Sequence, residues 1–135
     1  MPLEHRIDHG LRLVLTRAIG TLTDDEIFAY QREVWSRPDV AGYDELVDMS
    51  DVEHVAVPST HRVTQLASFS AAMDARTPVS RFAIVAPRDF EFALGRMYEA
   101  RRELDSRGTK RVGVFRTRAE ALAWLGLESE PPGGT

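Results

Sequence analysis

Arg81-Phe82-Ala83-Ile84-Val85-Ala86 is the stretch on which the fold turns. Five apolar residues follow one another without alternation. A strand with one wet face would alternate, so this run predicts a strand covered on both faces. Thr77-Pro78 before it and Pro87 after it break regular structure on either side. A doubly covered strand needs layers above and below the sheet, which helices supply in α/β proteins.

Reading towards the N-terminus, a helix is expected from about Ser59 to Arg76, with Val63, Leu66, Ala67, Ser70 and Met73 on one face. Glu45-Leu46-Val47-Asp48-Met49 reads as a short buried strand, and Ser50 to Pro58 as a loop. Thr23-Asp24-Asp25-Glu26 is a capping box that opens a helix carrying Ile27, Phe28, Tyr30, Val34 and Trp35, closed by Pro38. The chain starts with a hairpin: His5 to Asp8, a turn at His9-Gly10 taken at positive φ, and a strand alternating Leu11, Leu13 and Leu15 with Arg12, Val14 and Thr16 up to Gly20.

Towards the C-terminus, a helix is expected from about Phe90 to Ser106. Phe90, Ala93, Leu94, Met97, Tyr98 and Leu104 share its apolar face, and Gly108 takes the left-handed stop. Phe92, Arg96 and Arg102 fall off that face. Arg111 to Phe115 is the last strand. Thr117-Arg118-Ala119-Glu120 is a second capping box for a helix ending at Gly126. The reading is one α/β domain over residues 1–126: a mostly parallel five-stranded sheet, an N-terminal antiparallel hairpin and four helices. Residues 127–135, rich in proline and glycine, read as a disordered tail.

Composition limits the chemistry. The chain has no cysteine, which excludes disulfides, thiol nucleophiles and cysteine-based metal sites. Met1 to Gly10 lacks the apolar core of a signal peptide, so a cytoplasmic location is expected. The net charge of −4 argues against nucleic acid as a partner. Charge is uneven: ten acids face two arginines from Gly20 to Val57, and eight bases face three acids from Arg96 to Arg118. That predicts internal ion pairing or, alternatively, opposed acidic and basic sides. Tyr98 and Phe115 lie among the arginines, but on a buried stripe and in a strand, so they offer no stacking platform. Anionic lipid headgroups are the more natural target of that basic segment.

Leu46-Val47-Asp48-Met49-Ser50, Phe82-Ala83-Ile84-Val85-Ala86-Pro87 with Gly95-Arg96-Met97-Tyr98-Glu99, and Val114-Phe115-Arg116-Thr117-Arg118-Ala119-Glu120-Ala121-Leu122-Ala123-Trp124-Leu125 together resemble the SpoIIAA-like family. These are bacterial domains related in fold to the STAS anti-sigma-factor antagonists. The resemblance implies a phosphoacceptor serine at the start of the helix after the third strand, where Val57-Pro58-Ser59-Thr60-His61 stands, with Ser59 or Thr60 as the acceptor. It also implies fold kinship with lipid-carrying domains, and so an apolar ligand or a membrane contact.

The candidate sites follow. Phe90, Phe92, Leu94 and Met97 are expected as a lip over an apolar pocket between the third helix and the sheet, or as a peripheral membrane or dimer contact. Ser59 and Thr60 are expected as a helix cap or a phosphoacceptor. Asp48 is expected as a strand-end acid, either capping its own turn or, as an alternative to His61, available for acid–base work. His54 and His61 flank a loop with Asp48, Asp51 and Glu53, but no ligand spacing supports a metal, and none is expected; His5 and His9, four apart on a hairpin, share no ligand face. No nucleophile elbow or phosphate-binding glycine loop occurs. A non-enzymatic binding or regulatory domain without cofactor is expected, with a small apolar ligand, a lipid or a regulatory protein as partner and a homodimer as one assembly. A small acid–base enzyme is the alternative.

Overall fold

The computed structural model describes residues 3–56, 59–74 and 78–127. The elements run β1 (Leu3–Asp8), β2 (Leu13–Thr23), α1 (Asp24–Trp35), a 3-10 turn (Pro38–Val40), β3 (Asp44–Ala56), α2 (Thr60–Asp74), β4 (Ser80–Val85), α3 (Asp89–Leu104), β5 (Lys110–Phe115) and α4 (Arg118–Trp124). The sheet order is β1-β2-β3-β4-β5. β1 pairs antiparallel with β2, and all other pairs are parallel.

Sequential strand order has a direct consequence. Each right-handed crossover advances in the same direction, so α1, α2 and α3 all fall on one side. Val47, Phe82, Ile84, Val112 and Val114 meet Val63, Ala67 and Tyr98 there, and Val14 meets Val34. The other face carries Leu13, Leu15, Leu46, Ala83 and Val85 against Ala121, Leu122 and Leu125 of α4. The apolar run in β4 is therefore buried on both sides, as its sequence predicts. The order never reverses, so the sheet has no switch-point crevice at its strand ends.

Several expectations are corrected. Val14 and Thr16 are as buried as Leu13 and Leu15, while Leu11 is exposed. β2 is a central strand of the sheet, so both its faces are covered. The hairpin turn takes its positive φ at Arg12 (52°) rather than Gly10, and Asp8 Oδ1 accepts the Leu11 N–H at 2.9 Å. β2 does not stop at Gly20, and Ser50 to Ala56 is strand rather than loop. Ile19 through Thr23 pairs with Asp51 through Ala56 across two register shifts. Such irregularities bend and twist a strand pair, and here Gly20 supplies the positive φ (70°). Gly108 is not left-handed; α3 ends at Leu104 with Asp105 as its cap. Gly126 does take the left-handed stop after α4 (φ 81°).

The first capping box is complete, and the second is half made, with the threonine capping the helix but no return bond to its own N–H. Thr23 Oγ1 accepts the Glu26 N–H and Glu26 reaches back to the Thr23 N–H, a complete box. Thr117 Oγ1 accepts the Glu120 N–H at 3.2 Å. Residues 128–135 of the expected tail, with Val57, Pro58 and Ala75 to Thr77, lie outside the described residues. Among the described residues no helix is long and apolar enough to cross a membrane.

Candidate functional site

The largest correction concerns α3. Its buried stripe is Glu91, Gly95, Tyr98 and Arg102, rotated from the predicted apolar face. Gly95 sets this rotation. A Cβ there would stand 3.0 Å from Val114 Cγ1, so glycine lets α3 settle this closely on β5 without displacing the valine side chain. Phe90 and Leu104 are consequently 58% and 79% exposed. Phe92 and Met97 pack partly buried against the core, and the Arg116 guanidinium lies 4.0 Å from the centre of the Phe92 ring. Arg102 is buried and binds Asp74 and the Tyr98 hydroxyl, while Arg96 stays exposed beside Glu99.

A cavity of about 130 Å³ lies between the sheet and α1, α2 and α3. Its floor is Val47, Phe82 and Ile84; α2 contributes Val63 and Leu66, and α3 contributes Leu94, Gly95 and Tyr98. Leu22 and Val55 come from the extended ends of β2 and β3, with Leu3 of β1 and Ile27 of α1 beside them. The bulged extension of β2 and β3 thus builds a second small core of Ala18, Leu22, Val52 and Val55, and Met49 and Leu94 touch both cores. The cavity is the gap where the two cores meet. Of the expected lip residues, Leu94 lines it; Phe90, Phe92 and Met97 are not among its walls.

Few polar groups reach this space. At the rim, Arg62 of α2 donates to Asp24 Oδ2 at 2.5 Å and to Asp25 at 3.1 Å, with Phe28 stacked 4.5 Å beneath it. This latch ties α1 to α2. The hydrogen bond from Arg62 holds the Asp24 carboxyl below its ordinary 3.8. A lowered carboxyl stabilises the fold above its unfolded value and ceases to do so as pH falls through the folded one. The stability gap between wild type and Asp24→Asn, read as urea midpoints, is therefore expected at neutral pH and to close on acidification well below 3.8.

At the floor, Glu45 is buried and fully engaged. It accepts from Tyr30 (2.7 Å), Trp35 (3.0 Å) and Lys110 (3.1 Å), and Tyr30 also bonds Thr16 at 2.7 Å. Burial pushes the Lys110 ammonium below its ordinary value and, with the Glu45 charge, pushes the Tyr30 phenol well up. Sequence reasoning passed over this cluster because its members are scattered over β2, α1, β3 and β5. Buried glutamate at the start of a strand left no periodic signal.

The remaining candidates stay apart from the cavity. Ser59 is exposed and caps α2, accepting the Arg62 N–H at 3.3 Å; Thr60 is exposed beside it. Asp48 accepts the Ser50 N–H at 2.9 Å and pairs with Arg118 at 2.9 Å. His54 and His61 are exposed, and no three His, Asp or Glu side chains among the described residues converge to hold a metal. Internal pairing absorbs much of the basic segment: Arg102 with Asp74, Arg107 with Asp105, Lys110 with Glu45, Arg116 with Asp89 and Arg118 with Asp48.

No protein-family model matches the chain, and no curated protein matches it. Among solved structures it is similar to an uncharacterized protein of the DUF3478 family with a SpoIIAA-like fold from Shewanella loihica PV-4. The two share 16% identity, with a TM-score of 0.56 over 91% of this chain and 93% of the other. A five-stranded mixed sheet led by an antiparallel hairpin, matched over nearly its whole length, identifies the chain as an α/β domain of SpoIIAA-like fold.

Proposed function

We propose that this chain is a non-enzymatic binding domain that takes a small apolar molecule into the cavity beneath α1, α2 and α3. The observation that carries the reading is the cavity itself, walled by aliphatic and aromatic side chains from β1, β2, β3, β4, α1, α2 and α3. Native interiors are close-packed, and voids above the size of a water are few. At about 24 cal/mol per Å³, a void of this size forfeits about 3 kcal/mol of packing. A site that tolerates such a loss is well suited to a ligand that restores it.

Volume selects the ligand. An engineered cavity of about 150 Å³ lined by similar side chains holds benzene. The space here therefore suits a single ring or a short branched chain, and a whole acyl chain exceeds it. The buried acids are held by arginine, lysine or phenol donors, an arrangement that fixes helices around the cavity rather than poising a proton. Thermal unfolding with and without toluene tests the reading. Toluene near its solubility limit is expected to raise the Tm by mass action. An unchanged Tm with toluene, benzene and indole alike would reject it.

A further inference from the structure

The sheet ends on two unlike edges. β1 is guarded: Glu4, His5, Arg6 and Asp8 are four of its six residues, and charge is one way a protein blunts an exposed edge. β5 is not, for Val112-Gly113-Val114-Phe115 follows its first two residues. Among the described residues β5 has β4 on one side and no strand on the other. The carbonyls of Thr109 and Phe115 accept from Ser80 (3.3 Å) and Ala86 (2.8 Å) on the β4 side. Backbone groups alternate along a strand, so Lys110, Val112 and Val114 turn theirs to the open edge. Asp74 takes the Lys110 N–H there at 3.4 Å. The side chains of Val112 and Val114 are buried under α3, so their backbone is what the edge offers. A groove of about 570 Å³ follows this edge, walled by Arg96, Glu99 and Glu103 of α3 and by Trp124 of α4.

We propose that β5 pairs antiparallel with β5 of a second copy about a two-fold axis, joining two five-stranded sheets into one. This surface is separate from the apolar cavity and does not depend on a ligand there. Charge selects a second copy as the occupant. Arg96, Glu99 and Glu103 stand at i, i+3 and i+7 on one face of α3, and all three line the groove. α3 is the crossover between two parallel strands, so it runs antiparallel to β5. A two-fold axis therefore lays the Arg96 end of one α3 beside the Glu103 end of the other, twice per dimer. Both ends have charge to give. The Arg96 side chain is 62% exposed and approaches Glu99 Oε1 only to 3.4 Å, and that buried oxygen has no hydrogen-bond partner among the described residues. Glu103 is exposed and makes no ion pair among the described residues. The helix also leaves room for its counterpart. Tyr98 meets Phe82 of β4, ring centres 6.1 Å apart, and Gly95 meets Val114 of β5, so α3 straddles two strands and does not overhang the edge. A peptide of one charge sign meets like charge at one end of the groove, whereas a second copy matches both ends.

Sedimentation velocity on the full chain is the test, and the wild type is expected to be a dimer at micromolar concentration. Arg96→Glu sets acid against acid at both contacts, and Glu103→Arg sets arginine against arginine. Each alone is expected to weaken the dimer more than about tenfold. Mixed in equal amounts, the two variants are expected to recover a dimer, because each then faces its opposite. Val112→Pro removes an outward N–H and leaves the β4 ladder intact, and it too is expected to weaken the dimer more than about tenfold. A wild type that stays monomeric up to millimolar concentration would overturn the proposal. A dimer that survives either charge reversal would overturn it as well, as would single variants that dissociate and do not reassociate when mixed. Arg96 and Glu103 are exposed, so the mixing experiment decides the matter even if Val112→Pro does not fold.

Discussion

Replacing Lys110 by methionine is expected to destabilise the fold by about 3–5 kcal/mol, the usual consequence of stranding one member of a buried ion pair. Lys110 and Glu45 are both under a tenth exposed and meet at 3.1 Å. With the ammonium gone, Glu45 keeps the Tyr30 and Trp35 donors but loses the one cation bonded to it among the described residues. Equilibrium unfolding in urea reads the loss, and the Tm is expected to drop by on the order of 10–20 °C. The double variant Glu45→Leu with Lys110→Met is expected to recover part of it. Removing both charges abolishes the stranded carboxylate, leaving mainly the orphaned Trp35 N–H, at about 1–3 kcal/mol. A double variant less stable than Lys110→Met alone would show that the cluster acts through its hydrogen bonds and not its charges.

Val63→Phe is expected to abolish toluene binding, lowering affinity more than tenfold, without destabilising the protein. Val63 lines the cavity from α2 and is nearly inaccessible from outside. A phenylalanine there places its ring in the space a ligand would occupy. Adding methylenes to a packed core normally costs about 1–3 kcal/mol. Here the ring enters a void of about 130 Å³, so stability is expected to be unchanged or to rise by about 1 kcal/mol. Measured together, toluene titration and urea unfolding separate the outcomes. A large loss of stability would mean that the cavity is not available to side chains, and undiminished toluene binding would place the ligand elsewhere.

The sequence carried the layers better than the lining. The unbroken run at Phe82 to Ala86 announces a strand covered twice, and the caps at Thr23 and Thr117 place two helix starts correctly, because each signal is local. The buried stripe of α3 was illegible for a physical reason. Its members are Glu91, Gly95, Tyr98 and Arg102, and two of them depend on residues far away in the chain, Gly95 on Val114 and Arg102 on Asp74. Hydrophobic periodicity instead selects Phe90 and Leu104, which the fold leaves in solvent. The extension of β3 beyond Ser50 was hidden likewise. Asp51, Glu53 and His54 look like a loop, and their strand geometry comes from pairing with Ile19 to Thr23. That extension supplies Val55 to the cavity, so the site became visible only with the sheet assembled. Among the expected lip residues Leu94 alone reaches it, since the cavity lies on the face of α3 that glycine brings closest to the sheet.

The central claim, that the gap between the two cores binds a small apolar molecule, is tested most directly by mapping amide and methyl chemical shifts during a toluene titration. Saturable shifts centred on Leu22, Val47, Val55, Val63 and Ile84, with ring-to-methyl nuclear Overhauser contacts to the same side chains, are the predicted result. Shifts that never saturate, or that cluster away from these residues, would contradict it.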